Sequence, residues 1–451
     1  MYKLLAVLLL GILIFFTASD PFFGTSLSFK PLPDTKPSDV REFPWVATRA
    51  FRNYLTDHDQ RVDDAFTVTP YYYPNVHFWF LIYTQFESSQ VVIHDKKNLN
   101  IIYRVLDFNS LYTQNLSGKT LWFMQQRIAD EKLAAFKQEL IRLEQDPFNQ
   151  SPESREILGI LENAEIRLPS LRGDRSTFFQ KLKDNLRTQT GQKNYIRDGI
   201  VRALPYQKFL TDYFKKRNLP PELLAIPFLE SSFNPGAQSK AAAVGAWQFM
   251  PLISSYFVPK RTSNYDYRSN VGVASVAAAF LMNENYNILR TWDLAVTAYN
   301  SGTKHLLKTK REIGSQADLE EIIKHSDSEH FGFASKNFYS EFLALVHTLA
   351  YKDELFRNLD SDRSDTGDDL LFFQTKCSLR LDKELNQHQL EDFNFHNHHL
   401  RDIKNPVPKG FIVTLKTNLP SQKFEKVSES QLLKTKPIKW YKSLSRSSCK
   451  N

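Results

Sequence analysis

The strongest candidate for chemistry in this sequence is a carboxyl group on an apolar helix face. Apolar side chains precede Glu230 by seven, four and three residues, those of Leu223, Ile226 and Pro227. In a helix these positions share one face with the carboxyl. Burial beside apolar groups disfavours the charged form of a carboxyl and raises its pKa. The spacing therefore predicts a group that holds a proton near neutral pH and can act as a general acid.

A short helix between two turns would position this acid. Leu219-Pro220 predicts the first turn, and Pro221 suits the start of a helix because its missing N–H would be unsatisfied there anyway. Asn234-Pro235-Gly236 predicts the end of the helix. A helix that stops just beyond an acid suits the mouth of a cleft. From spacing alone, a surface Glu paired with a cation is the alternative.

The residues after this acid resemble a family of cell-wall enzymes. ESSFNP begins at Glu230, GAWQFMP occupies Gly245–Pro251, and AYNSG occupies Ala298–Gly302. These separated motifs, in this order, resemble those of the soluble-type lytic transglycosylases, which have a goose-type lysozyme fold. The resemblance extends from about residue 219 to 349, less than a third of the chain.

The resemblance implies cleavage of peptidoglycan between N-acetylmuramic acid and N-acetylglucosamine with one acid. Glu230 would protonate the bridging oxygen, and the muramyl acetamido group would shield the cationic sugar. Glu230 would then accept the proton of the 6-hydroxyl, whose attack on its own ring gives a 1,6-anhydro sugar. Intramolecular attack has a high effective concentration, so a second carboxylate is not required. Asp266 and Glu284 lie outside the motifs and are interpreted as surface acids.

Further site residues come from the same motifs. Tyr299 would position groups near Glu230 and the acetamido group, with a purely structural core tyrosine as the alternative. Ser231 would also brace the helix around the acid. The full set assigned to substrate binding is Ser231, Ser239, Gln248, Met250, Asn300 and Tyr339, the last in a NFYSEFLA segment similar to the family's final motif. No motif requires a metal or an organic cofactor.

Composition and pattern predict a mainly α protein with several domains. The chain has 451 residues, 42% hydrophobic content and only 15 glycines. An apolar run at 74–86 predicts a buried helix, and Val91–Asp95 a short strand. The expected parts are a signal peptide (1–19), a linker (20–44), a mainly helical N-terminal region (45–194), a lysozyme-like catalytic domain (195–356), an acidic linker (357–369), a small α+β module similar to a degenerate LysM repeat (370–420) and a basic tail (421–451).

The first residues predict export to the periplasm or cell envelope. Lys3 precedes an apolar run at 4–16 and small residues at 17–19, as in a secretory signal. The run is short for a membrane span, and an uncleaved anchor is the alternative. The two cysteines, Cys377 and Cys449, are too few for a disulfide framework; one bridge and two free thiols are equally compatible with the sequence.

The net charge of +8 is concentrated at the C-terminal end, where residues 421–451 hold eight Lys or Arg and two Glu. A solvated tail is the simplest interpretation, and attraction to an acidic cell wall or membrane surface is the functional one. No nucleic-acid-binding module occurs, and the resemblance implies peptidoglycan glycan strands as the partner. His94-Asp95 is interpreted as a structural surface pair, and exposed histidines rather than a metal site are expected for His388, His396, His398 and His399.

Two other functions are compatible with the motifs. A hydrolytic muramidase of similar fold would leave free reducing ends in place of anhydro ends. A non-catalytic protein would use the same cleft only to bind glycan. The intact ESSF and AYN segments favour an enzyme over the non-catalytic alternative.

Overall fold

The structure is a computed structural model, which describes residues 40–44, 51–146, 148, 151–170, 172–259, 261–326, 328, 331–356, 359 and 369–433. The predicted signal peptide, most of the two predicted linkers, and Cys449 lie outside the described residues. Cys377 is exposed. Within the described part of the chain, no helix is both long enough and apolar enough to cross a membrane.

The N-terminal region combines helices with an antiparallel sheet. Its elements are β1 (Arg41–Phe43), α1 (Arg52–Leu55), α2 (Tyr73–Thr84), β2 (Gln90–Asp95), β3 (Ile102–Asp107), α3 (Asn109–Tyr112), α4 (Gly118–Gln145), α5 (Pro152–Asn163), α6 (Arg172–Asn185) and β4 (Leu186–Thr190). The strands lie in the order β1-β3-β2-β4, all antiparallel to their neighbours. The buried helix predicted at 74–86 and the strand predicted at 91–95 are confirmed as α2 and β2. The sheet as a whole was not predicted.

Local sequence explains how the long helices of this region begin. The Ser117 hydroxyl accepts a hydrogen bond from the Thr120 N–H at the start of α4. Ser151 does the same for Ser154 at the start of α5, with Pro152 at the first helical position. One face of α4 then buries Met124, Ile128, Phe136, Leu140 and Leu143 in the same core as β2 and β3. Helices α4 to α6 and one face of the sheet therefore form a separate core, whereas α2 belongs to the core of the helices that follow.

The catalytic domain expected from the sequence is a helical assembly. Its α-helices are α7 (Lys193–Ala203), α8 (Gln207–Lys216), α9 (Ile226–Ser231), α10 (Pro251–Phe257), α11 (Val271–Leu289), α12 (Trp292–Ser301), α13 (Thr303–Ile313), α14 (Leu319–His325), α15 (Phe333–Ala350) and α16 (Lys352–Leu355). A short 3₁₀ turn (Pro221–Ala225) directly precedes α9. The alanine-rich α11 is buried on most of its surface, which allows close packing with α12. Helix α2 of the N-terminal region packs along α15. The mainly α fold class is confirmed.

The C-terminal module is a small α+β unit that packs against the catalytic domain. It contains β5 (Leu371–Thr375), α17 (Leu381–Glu384), α18 (Gln387–His396), β6 (Ile412–Leu415) and β7 (Phe424–Val427), with an antiparallel strand order of β6-β5-β7. The Asn270 amide donates to the Thr414 hydroxyl at 2.9 Å, and the Tyr267 hydroxyl accepts from the Ile412 N–H at 2.8 Å. Because β7 completes the sheet, the basic segment predicted from residue 421 starts inside this module.

Several polar residues expected at the surface are buried. His94 and Asp95 are both fully buried in β2, where Asp95 accepts hydrogen bonds from the backbone N–H groups of Lys97 and Asn98. His396 and His399 are also buried, whereas His388 and His398 are exposed. A strand that is covered on both faces does not alternate between apolar and polar residues. The sequence pattern around His94 therefore could not indicate that its side chain is buried. Among the described residues, no group of three or more His, Cys, Asp or Glu side chains is arranged to hold a metal ion.

Candidate active site

Helix α9 holds the predicted acid in the interior of the catalytic domain. Leu223 and Ile226 are fully buried beneath it, and the Glu230 side chain is only 7% exposed. The helix ends abruptly because Ser232 and Phe233 adopt left-handed backbone conformations, with φ of 49° and 55°. The expected helix and its early stop are confirmed. The carboxyl is therefore carried on a very short helix whose ends are both fixed.

Ser231 braces that helix from inside the protein. Its hydroxyl donates to the Ala246 carbonyl at 2.9 Å and accepts from the Asn234 N–H at 3.0 Å. Its side chain is fully buried. These contacts agree with the bracing role, but they correct the assignment of Ser231 to substrate binding, because a saccharide cannot reach a buried hydroxyl.

Glu230 is poised to carry a proton. Burial, and secondarily the negative charge of Glu341, raises the pKa of Glu230 to about 8. Among the described residues, no cation lies within 4 Å of its carboxyl, so no ion pair offsets this effect. A surface Glu paired with a cation, the alternative from spacing alone, is wrong. Below about pH 8 the protonated form is favoured.

A second acid, the half-buried Glu341, lies in the same cleft on α15. Its Oε2 accepts a hydrogen bond of 3.4 Å from the Tyr83 hydroxyl. Burial raises the pKa of Glu341 to about 8, while the Tyr83 hydrogen bond and the positive charge of Arg187 act in the opposite direction. Because both of these groups stabilise its anion, Glu341 is the member of the pair better suited to be ionised, and Glu230 the member better suited to be protonated.

The two acids share a cleft of about 420 Å³, a size typical of small-molecule and saccharide sites. Its walls come from both the N-terminal region and the catalytic domain. They comprise Trp79, Tyr83, Trp122, Gln126, Leu133, Leu186, Arg187, Thr188, Gln189, Thr190, Gly191, Gln192, Tyr195, Leu229, Glu230, Asn300, Phe333, Ala334, Phe338 and Glu341. The lining includes both aromatic rings and amide or hydroxyl groups, as suits a sugar with apolar faces and polar edges.

Tyr299 lies close to Glu230 without being hydrogen-bonded to it. Its hydroxyl donates to the Trp247 carbonyl at 2.7 Å. Burial, and secondarily the charge of Glu230, raises the pKa of Tyr299 well above its ordinary value. Tyr299 therefore stays protonated, and it fixes the backbone at Trp247 while contributing a dipole near the acid.

The other predicted binding residues are not all brought to this cleft. Asn300 lines the same cleft as Glu230, with its Oδ1 accepting from the Ser335 hydroxyl at 3.0 Å. Tyr339 does not, since it is buried against Tyr72 on the opposite side of α15. One position along a helix rotates a side chain by about 100°, so Tyr339 points to the core while Phe338 and Glu341 line the cleft. Its assignment to substrate binding is corrected.

The remaining three predicted binding residues shape the loop between α9 and α10. The Ser239 hydroxyl accepts from the Ala243 N–H at 3.0 Å, and the Gln248 amide donates to the Gly245 carbonyl at 2.8 Å. Met250 is 42% exposed at the start of α10. None of the three is among the residues that line the 420 Å³ cleft.

Arg268 ties the same loop to the rest of the domain. Its guanidinium donates to the carbonyls of Ala242 and Phe249, both at 2.8 Å, and pairs with Asp266 at 2.7 Å. Asp266 is thus a structural partner of a buried arginine rather than a surface acid, and Glu284 is also half-buried. Neither lines the cleft.

The sequence reasoning missed Glu341 and the whole contribution of the N-terminal region. For Glu341 a signal existed, because Phe338 precedes it by three residues and Leu345 follows it by four. Intervals of three and four residues also placed Glu230 on an apolar helix face. For Arg187 there was no signal, since its place in the cleft depends on the pairing of β4 with β2.

Comparison with known proteins agrees with this geometry. Residues 211–322 match the family model "Transglycosylase SLT domain". Over 144 residues, 31% of this chain, the sequence is 37% identical to membrane-bound lytic murein transglycosylase D of Escherichia coli strain K12, and the match covers 32% of that protein. It is 35% identical over 119 residues, 26% of this chain, to a putative tributyltin chloride resistance protein of Alteromonas sp. strain M-1, of which it covers 58%.

The chain thus spans about a third of the transglycosylase D relative and somewhat over half of the other. The matched segment contains Glu230 and Asn300, whereas Glu341, Tyr83 and Arg187 lie outside the residues of the family match. The resemblance expected from the sequence is confirmed: over residues 211–322 this chain is similar to the transglycosylase SLT domain, and it resembles the lytic murein transglycosylases.

Proposed function

We propose that this protein is a lytic transglycosylase of the cell envelope. It cleaves the β-1,4 bond between N-acetylmuramic acid and N-acetylglucosamine in peptidoglycan and forms 1,6-anhydromuramic acid. The observation that carries the proposal is the buried, unpaired Glu230 at a cleft of about 420 Å³, within a segment similar to the transglycosylase SLT domain.

The first step is proton delivery by Glu230. A carboxyl whose pKa is raised to about 8 keeps its proton at neutral pH and gives it to the glycosidic oxygen as the bond breaks. The electron pair of the broken bond stays on the leaving N-acetylglucosamine oxygen. The muramyl acetamido group shields the cationic carbon. Asn300, on the wall of the same cleft, is suited to hold a polar group of the sugar in place.

The second step returns the proton to Glu230. The carboxylate left by the first step accepts the proton of the muramyl 6-hydroxyl, whose oxygen attacks the anomeric carbon of the same ring. The acid is regenerated, and no water is consumed. A carboxylate that is poorly solvated is a strong base, so the burial that favours the first step also favours the second.

The products of digestion test this proposal directly. Purified murein sacculi incubated with the protein are expected to release muropeptides with 1,6-anhydro ends, which mass spectrometry separates from reducing ends by the mass of one water. Glu230→Gln should lose this activity by about 10³-fold or more, because the acid is replaced by a group that cannot give up a proton. Glu284→Gln, at a half-buried acid outside the cleft, is the matched control and should retain activity.

A hydrolytic muramidase is a second candidate, and Glu341 favours it. Two carboxyl groups in one cleft permit a mechanism in which one protonates the leaving oxygen and the other activates water. In that case the products carry free reducing ends, and Glu341→Gln abolishes them. If neither kind of product forms at any pH while the protein still binds murein, the protein is a non-catalytic wall-binding protein.

A further inference from the structure

Arg187 brings a positive charge from the N-terminal region into the cleft. It lies on β4, at the edge of the four-stranded sheet, opposite His94 of β2. It lines the same cleft as Glu230 and Glu341. Residues 211–322, which match the transglycosylase SLT domain, do not include it.

The Arg187 guanidinium is fixed in place, and among the described residues it forms no ion pair within 4 Å, although the more distant Glu341 acts on it electrostatically. It lies 4.3 Å from the centroid of the Phe333 ring, which orients its plane, and its two Nη groups, unlike its Nε, are not completely buried. Among the described residues, no carboxylate lies within 4 Å of it and its side chain donates no hydrogen bond, although its Nε is completely buried. A half-buried arginine that makes neither an ion pair nor a hydrogen bond costs folding free energy, so a bound group that supplies these contacts is the simplest reason for it.

The charge balance of the cleft favours an anion. Its ionisable side chains that titrate between pH 3 and 9 are the two acids, and both favour the neutral form because burial raises their pKa to about 8. His94, which faces Arg187 across the sheet, is kept neutral because burial lowers its pKa to about 3. Below about pH 8 both acids are largely neutral, so the positive charge of Arg187 exceeds the negative charge of Glu341, and the cleft attracts negative ligands.

We propose that Arg187 binds a carboxylate on the muramyl unit of the glycan. This inference rests on the proposed function. The muramyl sugar carries a lactyl ether that N-acetylglucosamine lacks. That ether ends either in a free carboxylate or in an amide bond to a peptide with carboxylates of its own. An arginine recognises a carboxylate by two parallel hydrogen bonds, which Arg187 can donate from its two Nη groups. Arg187 would thus fix which sugar of the alternating polymer lies beside Glu230.

Binding to a catalytically inactive protein tests this inference without depending on turnover. The Glu230→Gln protein is titrated with three short glycan preparations: strands with peptides, strands stripped of peptides, and stripped strands whose lactyl carboxylates have been converted to methylamides. Isothermal calorimetry gives the affinity of each. The same titrations are repeated with proteins that carry a second substitution in addition to Glu230→Gln. These second substitutions are Arg187→Gln, Arg187→Lys and, as a control, Arg155→Gln at an exposed arginine of the same region.

Arg187→Gln is expected to weaken binding of carboxylate-bearing strands by about 10- to 100-fold and to leave binding of the methylamide strands unchanged. Arg187→Lys should restore part of the loss, and Arg155→Gln should have no effect. An effect confined to peptide-bearing strands assigns the carboxylate to the peptide, and one confined to stripped strands assigns it to the lactyl group.

Equal weakening of all three preparations, or no weakening of any, would overturn the inference. Such a result would leave the proposed function intact wherever the unsubstituted protein still releases anhydro products from sacculi. The two can therefore fail separately. Absence of those products, with carboxylate-dependent binding preserved, would instead refute the proposed chemistry and leave the role of Arg187 standing.

Discussion

Replacement of Glu341 by Gln offers the sharpest test of how the cleft keeps its acid protonated. The pKa of Glu230 is about 8, against 4.5 for an unperturbed Glu, and its two causes are burial and the charge of Glu341. Burial is the larger cause, so less than half of this difference comes from Glu341. Removal of that charge should therefore lower the pKa of Glu230 by roughly one pH unit.

The expected result is a shift of the alkaline side of the pH profile. A general acid works only in its protonated form, so activity is present below the pKa of Glu230 and is lost as pH rises through it. We expect kcat/KM for release of anhydro muropeptides to decline at a pH about one unit lower in Glu341→Gln than in the unsubstituted protein. The assay is mass-spectrometric quantification of products between pH 5 and 10, with Glu284→Gln as the control.

Two outcomes would refute this reasoning. An alkaline limit that stays in place would mean that the charge of Glu341 does not reach Glu230. Loss of all product at every pH would mean that Glu341 has a chemical role of its own, as in a two-carboxylate hydrolase. An alkaline limit that moves down, with the rate at pH 6 largely preserved, would support an electrostatic role.

Three further substitutions test the supports of the site and the cost of its buried charge. Tyr299→Phe removes the hydroxyl that donates to the Trp247 carbonyl and should cost about 1–2 kcal/mol in the free energy of unfolding by urea, together with a reduced kcat. Gly199→Ala would place a Cβ 2.6 Å from a carbonyl oxygen at the end of α9 and should destabilise the protein by more than about 1 kcal/mol. Gly159→Ala, at a helical position with open space, is the control and should be neutral or slightly stabilising. An equal effect of both substitutions on the free energy of unfolding would contradict the packing argument. Because the pKa of Glu230 is raised on folding, its contribution to stability is greatest below its unfolded pKa of about 4.5 and is lost as pH rises through about 8. The melting temperature of Glu230→Gln, relative to that of the unsubstituted protein, should therefore increase from pH 5 to pH 9. A difference in melting temperature that does not change with pH would contradict the raised pKa.

The part of the site that was predictable from sequence is the part built from local spacing. Glu230 could be found because its apolar neighbours lie within two helical turns, and burial of that face followed directly. Tyr299 and Asn300 were found from a motif within one helix, α12. The same rule assigned Tyr339 to the cleft, but a motif match does not say which side of a helix faces the substrate. Its neighbour Phe338 is the residue that lines the cleft.

What could not be predicted depends on strand pairing between distant residues. The sheet brings β4, at residues 186–190, beside β2, at residues 90–95, and only this pairing turns Arg187 toward the acids. The burial of His94 has the same origin, since both faces of β2 are covered. A pattern of alternation along one strand carries no information about which other strand will lie next to it.

Residues outside the segment that resembles the transglycosylase SLT domain favour ionisation of one of the two acids, Glu341. Tyr83 and Arg187, which stabilise the anion of Glu341, belong to α2 and β4 and precede residue 211. The charge of Glu341 in turn raises the pKa of Glu230, which lies inside the matched segment. A domain of this type therefore supplies the acid, whereas the N-terminal region supplies the groups that bias which of the two carboxyls remains protonated. For this reason a second protein can share the ESSF and AYN segments and still have a different pH range, if the residues at positions 83 and 187 differ.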